Sequence, residues 1–185
     1  LVVDTTSDTA DGTTTSIAAL MANKGADGKI SLREAIAAAN NTANGPGGAD
    51  RILFSIAGTG PHSISLTSAL PTVTQAVIID GSSEPDFAGT PVIELNGAGV
   101  GTFSSGILLG SGSSGSTIKG LVINRFSQSG IRIEGGSGNN LITGNYLGTD
   151  TTGLLDLGNT KWGLDLEASG GNNVIGGNRD RKSTR

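Results

Sequence analysis

Apolar residues two apart recur along the second half of the chain, and the pairs themselves recur. The segments GILLGSGSSGSTIKG (Gly106 to Gly120), GIRIEGGSGNNLITG (Gly130 to Gly144) and GLDLEASGGNNVIGG (Gly163 to Gly177) superimpose at offsets of 24 and 33 residues. Ile107, Ile131 and Leu164 then share a column, as do Leu109, Ile133 and Leu166, and Ile118, Ile142 and Ile175. A period in the twenties with this alternation predicts short strands stacked on their equivalents in the next repeat. Such a unit is too short to bury a face alone and must lean on its neighbours. The nine extra residues between Leu147 and Gly163 predict a loop bulging from one corner.

Earlier in the chain, Ile52, Phe54 and Ile56 alternate, as do Ile64 and Leu66. Val77 to Ile79 and Val92 to Leu95 are apolar runs closed by Asp80-Gly81 and Asn96-Gly97. Pro71, Pro85 and Pro91 fall between the runs, where they do not interrupt a ladder. The first fifty residues read differently. Leu1 to Val3 suggests a short strand, Ile17 to Met21 is weakly helical, and Ser31-Leu32-Arg33-Glu34 is a capping box. Leu32, Ala35, Ile36 and Ala39 follow at helical spacing, and Asn40, Asn41 and Gly45 end the run. The expected fold is all-β: a right-handed parallel β-helix (solenoid) with one short N-terminal capping α-helix. Its expected organisation is an N-terminal capping segment (1–50, helix 31–41), coils over 51–178, and a basic tail over 179–185.

Composition narrows the function. Glycine reaches 31 residues with five prolines and no G-X-Y period, which excludes collagen. There is no cysteine, so disulfides and thiolate metal sites are absent from the repertoire. The formal charge is −4, and without the last seven residues the balance is 8 basic against 15 acidic. A nucleic-acid partner is therefore not expected. No apolar run approaches 18 residues, so no membrane span is expected either. The tail, with Arg179, Arg181, Lys182 and Arg185, is read as disordered, a truncation point or an added remnant.

Stacking makes the outward columns a source of candidate chemistry. Arg132 shares a column with Asp165, and Glu134 with Glu167. Two stacked glutamates repel unless a cation or a sugar hydroxyl lies between them. Carboxylates beside an arginine suit acid–base work on a polysaccharide, so Glu134, Glu167, Arg132 and Asp165 are the catalytic candidates. The plainer reading is that outward strand positions are simply polar. Trp162 and Tyr146, with Arg132 and Asp165, are the glycan-binding candidates, and a glycan module would expose both rings on one face. Asp80, Glu84 and Asp86 form the densest acidic cluster, with calcium as the candidate cofactor and a solvated acidic turn as the alternative. Asn139, Asn140, Asn172 and Asn173 recur in register and read as a structural ladder. His62, the single histidine, follows Gly60-Pro61 and reads as a loop residue without a catalytic part.

DGKISLREAIAAAN (Asp27 to Asn40) resembles the N-terminal module named for the pattern C-S-L-R-E-A, with Ile30 in the cysteine position. NYLGTDTTGLLDLGN (Asn145 to Asn159) and NNVIGGN resemble the repeat phrases found with that module. The resemblance implies right-handed parallel β-helix repeats in exported bacterial proteins, secreted or on the cell surface. It implies little about activity. The expected function is thus a surface scaffold or adhesin that contacts a polysaccharide or cell-surface glycan. The alternatives are a lyase or glycoside hydrolase of the pectate-lyase-like kind, and a non-catalytic carbohydrate-binding module. The third copy shows no recognisable cap, so continuation of the natural protein or end-to-end self-association through that coil is also expected.

Overall fold

The computed structural model describes residues 1–181. Fourteen strands, numbered in chain order, fall into three wholly parallel sheets. The first sheet runs β1 (Val2–Val3), β2 (Asp50–Phe54), β4 (Val77–Asp80), β7 (Thr117–Lys119), β10 (Leu141–Thr143), β13 (Val174–Gly176). The second runs β3 (His62–Ser65), β5 (Ile93–Asn96), β8 (Leu121–Asn124), β11 (Tyr146–Leu147), β14 (Arg179–Asp180), and the third β6 (Ile107–Leu109), β9 (Ser129–Ile133), β12 (Trp162–Leu166). From β7 onward the chain visits the first, second and third sheets in turn.

The columns set by the sequence repeat are the strand registers. Ile107 pairs with Ile131 and Ile131 with Leu164, while Ile118 pairs with Ile142 and Ile142 with Ile175. Ile79, Ile118, Ile142, Leu95, Ile123, Leu109 and Ile133 are all buried, so the core is a set of aliphatic columns stacked about one strand spacing apart. Val174 and Ile175 of β13 are exposed.

The expected fold class, a right-handed parallel β-helix with one short capping helix, is corrected. The strands make three separate sheets of six, five and three strands, no sheet closes on itself, and two helices are present. All-parallel open sheets with helices at the N-terminal end stand nearer to a parallel α/β arrangement than to a single solenoid sheet. Two local causes are visible. Gly120, Gly144 and Gly177 carry φ of 68°, 64° and 63° at the same point of each repeat, and this left-handed kink ends the first-sheet strand and starts the second. Near the N-terminus, the Ser16 hydroxyl accepts from Ala19 N and Thr42 Oγ1 accepts from Ile17 N. These two caps turn a weak helical pattern into α1 (Ile17–Ala22).

The second helix, α2 (Leu32–Asn40), carries the expected capping box. Glu34, itself buried, accepts from Ser31 N and Ser31 Oγ and also from Asp11 N and Gly12 N. It thus ties the 8–12 loop to the helix start. Leu32, Ala35, Ile36 and Ala39 face the core, and Asn40 donates from Nδ2 to Thr72 O while its Oδ1 accepts from Thr74 N.

The nine-residue insertion is a closed loop. Thr149 and Asp156 form an antiparallel bridge, and Asp150 accepts from Leu154 N and Leu155 N. Arg179 and Asp180, expected in the tail, instead pair with Tyr146 and Leu147 as β14. Lys182 and Arg185 lie outside the described residues. No helix of the described chain is long and apolar enough to cross a membrane.

Candidate functional site

Two places gather chemistry-bearing side chains. The first is on the third sheet. Asp165 is the register partner of Arg132, as the repeat predicts, and Glu134 and Glu167 follow the paired residues Ile133 and Leu166. The guanidinium, however, engages the glutamates. Arg132 Nε lies 2.8 Å from Glu134 Oε2, and Arg132 Nη2 lies 2.5 Å from Glu167 Oε2. The Nε contact is one of charge, since that N–H is not directed into a hydrogen bond. The cation needed between two stacked glutamates is therefore Arg132 itself, supplied by the neighbouring outward column.

Arg132 and Glu134 line a groove of about 280 Å³ together with Leu70, Thr72, Phe103 and Ser105. Phe103 is 85% exposed and adopts φ 61°, an orientation that a bulky residue rarely takes. Sequence reasoning missed it because it sits outside the repeated columns. Trp162 begins β12 and pairs with Ser129, whose amide donates to Ser105 Oγ on the groove wall. Tyr146 is on the second sheet, and Arg179 lies 5.0 Å from its ring centroid. The two rings do not share a sheet. A single aromatic face made of Trp162 and Tyr146 is therefore not what this fold presents.

No family model matches this chain, and no curated protein and no solved structure matches it. The functional reading rests on the geometry of these residues.

The acidic cluster at 80–86 is divided by the fold. Asp80 ends β4 and points to Lys119 Nζ at 2.9 Å, with Arg51 Nη2 at 3.8 Å and Ser82 N donating at 3.1 Å. Burial pushes its carboxyl up, but the hydrogen bonds from Ser82 and Lys119 and the Lys119 charge outweigh burial and hold it below the ordinary value. Glu84 and Asp86 turn the other way and meet His62. His62 Nε2 lies 3.9 Å from Glu84 Oε1 and 3.8 Å from Asp86 Oδ2.

His62 is not a loop residue. It opens β3, pairs with Ile93, donates its amide to Val92 O, and is 6% exposed. The Gly-Pro before it suggested a turn, and the turn ends one residue earlier than expected. Nothing in the spacing of residues 62, 84 and 86 announces their meeting, because it depends on β3 and β5 lying side by side. The candidate calcium set of Asp80, Glu84 and Asp86 is thus split, and the group that converges is His62, Glu84 and Asp86, with ligand atoms within 4.8 Å of one another.

Proposed function

We propose that this chain is a non-catalytic scaffold segment of an exported bacterial protein that contacts glycans through the groove around Arg132. The observation that carries this reading is the bridging of Glu134 and Glu167 by one guanidinium on the wall of a groove rimmed by exposed Phe103. A glycosidase or lyase needs a carboxylate free to hold or give a proton. Here both candidate acids are occupied by the same cation, which suits them to accept sugar hydroxyls without taking part in bond cleavage. Phe103 supplies an apolar ring face, and Ser105 and Thr72 supply hydroxyls along the same wall. The resemblance of Asp27 to Asn40 to the C-S-L-R-E-A module supports export, and the three stacked ladders suit a stiff spacer.

The test is a panel of polysaccharides screened for binding and for new reducing or unsaturated ends. Binding without product, lost in Phe103→Ala and Arg132→Ala, is the expected result. Product formation that disappears in Glu134→Gln or Glu167→Gln would establish the enzyme reading instead. A panel with neither binding nor product would remove the glycan contact and leave the scaffold alone.

A further inference from the structure

We propose that His62, Glu84 and Asp86 form a binding site for one divalent transition-metal ion of the zinc type. The site is separate from the Arg132 groove, and its occupancy does not depend on the glycan reading. His62 and Glu84 are almost fully buried, at 6% and 3% exposed. A buried imidazole nitrogen requires a partner, yet His62 Nε2 has no hydrogen bond, and Asp86 Oδ1 is buried without one too. At 3.8 and 3.9 Å the carboxylate oxygens are too far for a hydrogen bond to that nitrogen. They are well placed for two ligands of a shared ion. With metal–ligand distances of about 2.1 Å, ligand atoms on a tetrahedral ion stand roughly 3.4 Å apart. His62 Nε2 needs to close on each carboxylate oxygen by about half an ångström, and the three ligand atoms, which lie within 4.8 Å of one another, by no more than about 1.4 Å, within the reach of side-chain torsions.

The outer shell is also that of a metal site. Ile56 N donates to both oxygens of Glu84 at 3.2 and 3.1 Å, and Gly60 N donates to Asp86 Oδ2. These amides hold the carboxylates in place beside His62, as outer hydrogen-bond partners do for metal ligands. Gly60 is needed there for its size: a Cβ would come within 2.9 Å of Asp86 Oδ2 and 3.3 Å of His62 Cδ2. The donor set is one nitrogen and two carboxylates. That set suits zinc and its neighbours better than calcium, which takes six or more oxygens. Three protein ligands leave a fourth position for water, and the Asp86 side chain, 31% exposed, gives the ion a path from solvent. The ion would join the start of β3 to the turn at 84–86, so its effect is on stability.

The experiment uses the full untagged chain, stripped with chelator, dialysed against zinc and assayed for bound metal, with thermal unfolding followed in parallel. One equivalent of zinc per chain and a raised Tm are expected. Asp86→Asn, altered at a partly exposed position, should keep the circular dichroism of the parent and weaken zinc at least ~10-fold. His62→Gln should do the same, and cobalt in place of zinc should lose its visible ligand-field bands in either variant. If His62→Gln does not fold, Asp86→Asn decides the matter alone. Zinc binding unchanged by Asp86→Asn overturns the proposal. So does a folded parent that retains no zinc, or one that takes calcium as tightly as zinc.

Discussion

Arg33 and Asp8 meet in a two-point ion pair, with Nε donating to Oδ1 at 3.0 Å and Nη2 to Oδ2 at 2.8 Å. Their side chains are 15% and 5% exposed. The guanidinium also donates to Ser68 O and Ala69 O, while Asp8 accepts from Thr67 N and Thr67 Oγ1. One arginine on the first turn of α2 therefore binds the 8–12 loop and the segment after β3 in a single network.

That network predicts a position-specific loss of stability. Arg33→Ala leaves the Asp8 carboxylate buried without its cation and should destabilise by about 3–5 kcal/mol. Arg33→Lys keeps the charge but loses the fork that reaches both oxygens and two carbonyls, and should cost roughly half as much. Denaturant unfolding of the two variants checks this. An Arg33→Lys variant as stable as the parent would mean that charge alone, and not the two-point geometry, holds the loop.

The interior polar ladder gives a second prediction. Asn145 is fully buried, accepts from Leu121 N at 3.1 Å, and donates to Ile118 O and Asn178 Oδ1. Asn178 repeats the pattern by accepting from Asn145 N and donating to Ile142 O. Asn145→Ala strands an amide and a carbonyl at the corner between β7 and β8, at about 1–3 kcal/mol for each group left unpaired. Asn145→Asp keeps the acceptor but places a charge against the Ile118 carbonyl, and should be worse at pH 7 than at pH 4. Unfolding midpoints at the two pH values read the difference.

These two networks mark how far the sequence could be read. The repeat set the strand registers from Gly106 onward, because stacking identical units makes sequence offset equal to spatial offset. Helix α2 was legible from a local signal, the capping box. Helix α1 was legible only as a weak pattern over Ile17 to Met21, since its caps come from Ser16 and from Thr42, a residue 25 positions away. The division into three sheets was hidden because the kink at Gly120, Gly144 and Gly177 is a backbone property of residues that are abundant everywhere in this chain. At the candidate sites, columns correctly aligned Glu134 with Glu167. They did not show that a long guanidinium from the adjacent column would lie between them. His62 reads in the sequence as a loop residue, although the early strands bring it to Glu84 and Asp86. Asp8 carries no local signal for the same reason: its partners are 25 and 59 residues distant.

Arg132 separates structural from binding effects. Its side chain is 25% exposed and that of Glu167 is 62% exposed, so the ion pairs are partly screened. Arg132→Gln should cost no more than about 1 kcal/mol of stability, because the remaining repulsion between the glutamates is met by water. Adding Glu167→Gln should restore most of that loss by removing one of the repelling charges. A double-mutant cycle in low and high salt checks both statements, with the coupling expected to shrink as salt rises.

Asp80 sets the response to acid. Its folded-state carboxyl is held below its ordinary value of 3.8, because Ser82 and Lys119 favour the charged form more than burial opposes it. A group with a lowered folded value adds stability that is complete above the unfolded value. That contribution disappears as pH falls through the folded one. Lys119→Met removes the closest cation, at 2.9 Å, and should lower stability at pH 7 by about 1 kcal/mol, the figure being small because Lys119 is 35% exposed. The loss should narrow as pH falls below 3.8 through the lowered folded value, where Asp80 takes up a proton in the fold and the cation has less to contribute. Asp80→Asn should show the same flattening without sensitivity to Lys119. Stability measured by denaturant from pH 7 down to pH 3, in the parent and these two variants, tests the sign. A Lys119→Met deficit that stays the same on acidification would mean that Asp80 is neutral in the fold and that its lysine contact is incidental.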